Sequence, residues 1–466
     1  MNKNEFQKLL NQKHENKNPY HNVKPTASFS KKPLFIGAPL VMAALAASVA
    51  LAFTFRAPAT KQNTSQFSLN SPQKAFNSKN LPTLSPTFID GVNQFAYNFT
   101  KQVYDEEGNG IYSPLSMAAA FSMLKDGAKG NSNKQLDDLF HQGVDKEQMK
   151  NTLLYNAKNV DDEYEKYYLD IAQSIFLDSG YKEHVYQDYL GILTDYYFAE
   201  GYSGSLPSPS MHQALADWIN QKTNNFLDKK AEDFEYLAGV MWLVNTVYLR
   251  TSWSKGDSFE YGKRNYNNAD GSISSVDYFV VNEAGTLYDG EKYDLIKASL
   301  RGGMSLNILL PEAKEDPSSI FLDEESFQNL IALGKNGLPS LTGEFTNLMG
   351  YALKLIMPKF HAQEKYDLVK IFPGLGVSDI FVREKADLSG IAQYNPGEEL
   401  YVGTALHEAG IDLSATGIEA AAYTVIAIAE ASSVQEWVTE IIDRPFLYSI
   451  TDSNGLPLFI GNVNQL

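Results

Sequence analysis

The sequence predicts an α+β protein, and three observations lead to that class. Apolar residues recur at helical spacing over residues 88–103. Residues 240–249 are almost wholly apolar and rich in β-branched side chains, which predicts a strand buried on both faces. Helical and strand segments follow one another without the regular strand–helix–strand order of a parallel sheet, so the class is α+β rather than α/β.

The elements follow in order from Phe88. The first helix presents Phe88, Val92, Phe95, Phe99 and Val103 on one face. A second helix begins at a cap residue followed by proline, Ser113-Pro114, and ends near Gly127. Further strands are predicted over residues 304–310 and 353–357, and a late strand places four side chains on one face: His407, Ala409, Ile411 and Leu413.

Composition restricts the chemistry. Apolar residues make up 44% of the 466 residues and aromatic residues 12%, so most of the chain is globular. Cysteine is absent, which excludes disulfides, thiolate zinc sites and a cysteine nucleophile. Residues 1–60 hold eight basic and two acidic residues, a net charge of +6, so the remainder of a chain with net charge −17 carries −23. So acidic a body argues against a nucleic-acid partner.

The N-terminal region predicts a membrane anchor. Residues 34–53 carry no charge, and 20 residues at 1.5 Å each cross a bilayer. The preceding residues 1–33 hold seven lysines, which places them in the cytoplasm and the body outside, in the periplasm or at the cell exterior. We therefore expect a basic tail over residues 1–33 and an anchor over residues 34–55. The alternative is a cleaved signal peptide and a secreted body.

A linker separates this anchor from the body. Residues 56–87 are rich in Ser, Asn, Gln, Thr and Pro, and a segment of that composition buries too little apolar surface to order itself. The body is predicted as a single domain over residues 88–466.

One segment resembles a strand but lies where a loop is expected. Residues 417–429 hold one charge, no proline, and small residues followed by β-branched ones. The next residues, Glu430-Ala431-Ser432-Ser433, are typical of an exposed tip. The pattern predicts a loop that enters a sheet later.

No catalytic constellation is found. The seven histidines include no pair at the i, i+4 spacing of a zinc-binding helix, and residues 201–205 lack the last glycine of a nucleophile elbow. A phosphate loop is also absent. We therefore expect neither an enzyme nor a metal or cofactor, and a hydrolase is only the third class considered.

Several segments, in order along the chain, resemble the serpin family over residues 88–466. The resemblance lies in residues 109–116 with 127–132, in residues 243–249 with Trp253, in Pro358-Lys359-Phe360, in residues 366–368 and 386–390, and in residues 444–448 with 458–463. Together with the N-terminal anchor or signal, it indicates a bacterial-type member.

The resemblance implies a fold and an activity. The fold has three β-sheets surrounded by about nine helices, with an exposed reactive-centre loop. The activity is suicide inhibition of serine, and sometimes cysteine, endopeptidases: the cut loop enters the main sheet and traps the protease as an acyl-enzyme. We expect a monomer. The alternative is a non-inhibitory serpin that acts as a binding module or a protease substrate.

The resemblance also assigns the hinge of that loop, and parity along a strand divides it into two faces. The hinge consists of Gly417, Ile418, Glu419, Ala420, Ala421 and Ala422. If Glu419 faces solvent, the even-numbered residues from Ile418 to Ile428 face the core. Ile418 replaces a usual Thr or Ser, and Tyr423 is bulkier than the family's hinge usually carries.

Two further groups are assigned by the resemblance. A hydrogen-bonded cluster behind the parting strands, the shutter cluster, comprises Ser113, Ser116, Asn245 and His407. The breach, where the loop enters, is marked by Trp253 and Lys359. Ala415 stands where the family usually has a Glu that pairs with the position of Lys359.

The bond that is cut lies at Ala431–Ser432 when residues are counted forward from the hinge. Counting back from Pro445-Phe446 gives Val434 instead. Small residues before the bond suit an elastase-like or subtilisin-like protease. No Lys or Arg lies between Gly417 and Glu440, which argues against a trypsin-like target.

Overall fold

The computed structural model describes residues 68–70, 84–161, 166–254, 258–282, 284–335, 338–349, 351–394, 399–418 and 437–466. All of them belong to one compact unit that spans residues 58–466.

The described residues form nine α-helices: α1 Pro86–Val103, α2 Pro114–Gly127, α3 Gly130–Leu139, α4 Lys146–Tyr155, α5 Gln187–Tyr197, α6 Pro209–Lys222, α7 Pro317–Phe321, α8 Glu324–Ala332 and α9 Leu368–Ile371. The first two confirm the helices predicted from periodicity. Ser85 and Ser113 cap them by accepting from the backbone N–H three residues ahead, and proline follows each cap.

Nineteen strands are present in the same ranges: β1 Ser68–Asn70, β2 Gly110–Tyr112, β3 Lys158–Asp161, β4 Lys166–Asp178, β5 Glu200–Gly204, β6 Met241–Thr251, β7 Ser258–Asn267, β8 Ile273–Val281, β9 Gly285–Gly290, β10 Tyr293–Ser299, β11 Ser305–Pro311, β12 Phe345–Asn347, β13 Ala352–Pro358, β14 Phe360–Asp367, β15 Leu406–Ser414, β16 Gly417–Ile418, β17 Trp437–Ile441, β18 Phe446–Thr451 and β19 Pro457–Val463.

These strands build three sheets, which confirms the α+β class. The main sheet runs in the order β1-β5-β4-β6-β16-β15-β14, with β3 paired to β4. The second sheet runs β12-β9-β10-β11-β18-β19-β2, and the third runs β17-β13-β8-β7. The rings of Phe360 on β14 and Tyr448 on β18 lie 5.4 Å apart, so the inner face of the main sheet packs on the second sheet.

Helix α6 covers the outer face of the main sheet at β4, β5 and β6. Met211, Leu215 and Trp218 of α6 form one apolar cluster with Phe176 on β4 and Trp242 on β6. The helix is therefore packed on the strands β4, β5 and β6, which lie on one side of β16.

Strand β6 differs from its prediction of burial on both faces. Trp242, Thr246 and Tyr248 are buried on the side of α6, and Leu249 is buried on the other face. Val244 on the α6 side and Leu243 and Val247 on the other face are only partly buried. The reason is the pairing: β4 pairs with β6 along eleven residues, whereas on the other side Thr251 alone is paired in the part of the chain that the structure describes. Among those residues, one long side of β6 has no neighbouring strand below Thr251.

Three residues of the predicted linker are part of the main sheet instead. Ser68 pairs with Tyr202 and Asn70 with Gly201, which adds β1 antiparallel to the edge strand β5. Composition did not indicate this strand, because the strand is held by backbone hydrogen bonds to an open sheet edge and not by burial of apolar side chains.

Candidate functional site

The candidate site is a gap in the main sheet between β6 and β15. The two-residue strand β16 occupies its upper end, where Ile418 pairs with Leu413 on β15 and with Thr251 on β6. Below these pairs, no ladder joins β6 to β15 in the residues that the structure describes for the two strands. The main sheet is therefore parted along most of the length of β6.

Mostly apolar residues line this gap, with the carboxylate of Glu408 among them. Together with the open solvent at its mouth, the space between the lining residues is about 390 Å³. Its lining comes from both sheets and from the segment that follows α6: Phe226, Leu227, Val247, Tyr248, Leu249, Glu408, Ala409, Gly410, Ile411, Ile418, Ile450 and Phe459. The second sheet, through Ile450 and Phe459, supplies the floor.

The described part of the hinge fits the upper end of the gap closely. Gly417 has φ +121°, and a Cβ built there would lie 2.3 Å from the carbonyl oxygen of Thr251. Only glycine is accommodated at this position. Ile418 is 2% exposed, so the apolar side chain that replaces the family's usual hydroxyl is already inside the core.

The structure brings the four residues of the shutter cluster together at the side of the gap. Ser113 donates its backbone N–H to Nε2 of His407 at 2.9 Å, and its Oγ accepts the N–H of Ser116. Ser116 Oγ in turn donates to Asn245 Oδ1. The start of helix α2 thereby contacts both strands that border the gap: β15 through its cap residue Ser113, and β6 through Ser116.

His407 is held neutral in this cluster. Burial lowers the pKa of its imidazole to about 3, because no charged group compensates for the loss of water. Since Nε2 accepts a hydrogen bond, the single proton of the ring is on Nδ1. The arrangement suits a buried structural histidine and supplies no general base.

Gln173 is a polar residue of this region that sequence reasoning missed. It lies on β4 directly opposite Asn245 and is buried. Neither atom of its side-chain amide, nor Nδ2 of Asn245, has a hydrogen-bond partner among the described residues. The signal was present in the sequence, since Gln173 interrupts the inward-facing apolar residues Leu169, Ile171 and Ile175.

The two breach residues lie on different sides of the hinge. Trp253 is buried and donates its Nε1–H to the carbonyl oxygen of Ser414 at 3.3 Å, which places it at the turn that leads into β16. Lys359 pairs with Glu260 on β7, with 2.6 Å between Nζ and Oε2. Glu260 thus occupies the partner role that Ala415, itself buried, does not fill.

The remaining predicted site residues lie outside the described residues: Glu419, Ala420, Ala421, Ala422, Ala431 and Ser432. The same holds for the predicted anchor, residues 34–55. In the part of the chain that the structure does describe, no helix is long and apolar enough to cross a membrane.

A group of carboxylates with ion-binding spacing lies elsewhere. Ligand atoms of Asp289, Asp294 and Glu312 are all within 4.8 Å of one another, at the ends of β9, β10 and β11 in the second sheet. An Asp294 oxygen accepts the N–H of Gly290 at 3.1 Å. The group is not part of the gap in the main sheet.

The fold and the gap define a class: a three-sheet α+β protein whose main sheet is parted between β6 and β15 below the short strand β16 in the residues that the structure describes. A family model described as "Serpin (serine protease inhibitor)" matches residues 90–466. The chain therefore belongs to the serpin family, whose members are generally protease inhibitors rather than catalytic enzymes.

Individual relatives are distant but match over most of their length. Neuroserpin of Mus musculus is 26% identical over 374 residues, 79% of this chain and 88% of the relative. Glia-derived nexin of Mus musculus is 28% identical over 414 residues, 85% of this chain and 96% of the relative. A serpin-like protein of Methanosarcina acetivorans is 24% identical over 381 residues, 80% and 85% of the two chains.

Solved structures agree on the fold. The thermophilic serpin tengpin in its native state superposes with a TM-score of 0.67 at 24% identity, covering 84% of this chain and 97% of tengpin. Native protease nexin-1 with heparin gives a TM-score of 0.65 at 22% identity, covering 82% and 100%. The three sheets and the surrounding helices are thus those of the serpin fold.

Proposed function

We propose that this protein is a suicide inhibitor of serine, and in some cases cysteine, endopeptidases. The observation that carries the proposal is β16, a short strand at the upper end of the gap between β6 and β15. The sequence that follows it, residues 419–429, has the composition of a strand. When a protease cuts the loop and forms an acyl-enzyme, the freed segment extends β16 down the gap and carries the protease with it.

The pairs made by β16 give the register of that insertion. Continuing the pairing of Ile418 with Leu413 and Thr251 sets Ala420 beside Ile411 and Leu249, and sets Thr424 beside His407 and Asn245. The even-numbered loop residues then face the second sheet. Burying isoleucines such as Ile426 and Ile428 contributes about 1.5–3 kcal/mol each, which favours the inserted state.

The uncut molecule is then a metastable state that a kinetic barrier maintains. The barrier matters for function because the loop must insert before the acyl-enzyme is hydrolysed. A slow loop would give a cleaved serpin and a free, active protease.

We propose Ala431–Ser432 as the bond that is cut, with an elastase-like or subtilisin-like target. The small side chains at this point and the absence of Lys and Arg from residues 418–439 support that class. Counting from the C-terminal side still favours Val434, and sequencing of the cleaved fragments decides between the two.

We propose further that residues 34–55 anchor a bacterial-type serpin, with the domain over residues 88–466 outside the cytoplasmic membrane. The 20 uncharged residues 34–53 after seven lysines support this arrangement. Membrane fractionation with protease protection tests it: release of the domain into the medium would indicate cleavage and secretion.

The experiment for the inhibitory function uses a variant matched in composition. Exchanging two neighbours, Glu419→Ala with Ala420→Glu, keeps the charge and residues of the chain but turns the carboxylate inward, against Ile411 and Leu249. Burying it there without a partner costs several kcal/mol, so insertion should fail.

The readout is incubation with subtilisin followed by denaturing gel electrophoresis. The wild type should yield a covalent complex that survives denaturation, whereas the exchange variant should be cut at the same bond without forming a complex. If the wild type is also only cut, the chain acts as a non-inhibitory serpin. The absence of a Glu at Ala415 favours that second candidate.

A further inference from the structure

The segment that follows α6 crosses the outer side of the gap. We call it the strap, residues 223–240. Near its start, Asn224 and Asn225 are in the left-handed region, at φ 50° and 59°, where the chain turns away from the helix axis. Asn224 donates to the hydroxyl of Tyr248 on β6 at 3.2 Å. The strap therefore starts on the side of the gap that carries α6.

The strap then packs on the opposite side of the gap. A Cβ added to Gly410 on β15 would lie 2.8 Å from the ring of Phe226, so the ring rests directly on the backbone of that strand. The ring centroid of Phe226 is also 6.4 Å from that of His361 on β14. Further along, Nζ of Lys365 lies 5.2 Å from the centroid of Tyr236.

One ion pair joins the two sides. The backbone of Lys229 is fixed to α6, because Asn220 accepts its N–H at 2.6 Å and donates to its carbonyl oxygen at 2.7 Å. The side chain of Lys229 reaches β15, where Nζ lies 2.6 Å from Oε1 of Glu408. Gln363 on β14 donates to the same oxygen at 2.7 Å.

We propose that the pair Lys229–Glu408 is a latch that sets how fast the gap admits the loop. This inference rests on the proposed function. The ion pair connects the part of the main sheet under α6 to β15. These two parts of the sheet border the space that an inserted strand must occupy. Both side chains are only 15–16% exposed, so the pair is less weakened by solvent than a surface ion pair.

The register explains why the latch has to open. An inserted residue 423 pairs with Glu408, and as an odd-numbered residue it points outward, toward the strap. In this chain that residue is Tyr423, whose ring needs the volume in front of Glu408 that Lys229 crosses. The strap must lift for Tyr423 to pass.

The chain offers a matched control. Lys222 pairs with Glu200, with 2.5 Å between Nζ and Oε1 and with side chains 21% and 17% exposed. Both partners lie on the same side of the gap, one on α6 and the other on β5. Lys222→Met therefore removes an ion pair of similar burial without releasing anything across the gap.

The experiment compares wild type, Lys229→Met and Lys222→Met in the full chain. Two quantities are measured: hydrogen exchange of the strap amides in the uncut protein, and moles of serpin consumed per mole of subtilisin inhibited. Lys229→Met should speed strap exchange about fivefold to tenfold and lower the consumption of serpin, because insertion becomes faster. Lys222→Met should match the wild type in both.

A charge exchange gives a second arm. Lys229→Glu combined with Glu408→Lys restores the attraction, so the double variant should return toward wild type, while each single variant behaves like Lys229→Met. Unchanged strap exchange in Lys229→Met, or an equal effect in Lys222→Met, refutes the latch. If wild-type protein cut by subtilisin gains no resistance to unfolding, the proposed function itself fails, and the gating role fails with it.

Discussion

At the scale of single residues, the neutral His407 links the shutter cluster to pH. Its ordinary pKa is 6.5 and burial lowers it to about 3 in the folded protein. Above pH 6.5 the ring is neutral in both folded and unfolded chains. Between pH 6.5 and 3 the unfolded chain binds a proton that the folded chain does not, so stability is lost as the pH falls through this window.

The prediction is a pH-dependent difference between wild type and His407→Gln. The wild type should lose roughly 2 kcal/mol of unfolding free energy from pH 6.5 to 5 because of this histidine, and the variant should not. Guanidinium unfolding of the uncut protein at several pH values measures it. Carboxylates titrate in both proteins and cancel in the comparison. Parallel pH profiles would show that His407 is not buried in neutral form.

The role of a side chain could be predicted from the sequence where it depends on the residue's own element, and could not where it depends on partners from distant parts of the chain. Ser113 was predicted as a helix cap and is one, because capping is decided within four residues. Glu260 as the partner of Lys359 was not foreseen, since Glu260 lies on β7 and Lys359 lies between β13 and β14, about a hundred residues further along the chain, and no local pattern brings the two together.

At the scale of elements, β16 shows how two paired residues fix the position of a longer strand. A strand that is hydrogen-bonded on both sides cannot shift by one residue without turning every side chain to the other face. If the inserted loop continues this register, we expect the hydroxyl of Thr424 to lie beside Asn245. Nδ2 of Asn245 has no hydrogen-bond partner among the described residues of the uncut protein.

The corresponding prediction concerns Thr424→Val, which keeps the shape and removes the hydroxyl. The cleaved, inserted form should unfold at lower guanidinium concentration than cleaved wild type, by an amount equivalent to about 1 kcal/mol, while the uncut forms remain equal. Thr439→Val, the same exchange at an exposed position of β17, is the control. Equal midpoints for cleaved wild type and Thr424→Val would contradict the register.

Element boundaries were largely predictable and element environments were not. The strands at β11 and β13 were foreseen within a residue or two of their limits, because apolar runs mark them directly. The partial burial of β6 was not, since it results from a gap on one side of the strand. The pairing of β1 with β5 was missed for a similar reason: its stabilisation comes from another strand's edge.

At the scale of the whole molecule, we propose two states of one chain. In the uncut state the main sheet is parted, the strap bridges the gap, and polar atoms of Gln173 and Asn245 lack partners among the described residues. In the inserted state that we propose, a new central strand would fill the gap and pair on both sides. The serpin family was predictable because its marker segments lie in order along the sequence, whereas the parted sheet had to be observed.

Nicking the loop with subtilisin near Ala431 and comparing thermal unfolding before and after tests this account most directly. Insertion of a complete strand should raise the unfolding midpoint by tens of degrees, well beyond the roughly 2–4 °C per kcal/mol of a local change in domains of 150–250 residues. A nicked protein that unfolds at the same temperature as the uncut one would show that the gap stays empty, and would contradict the account.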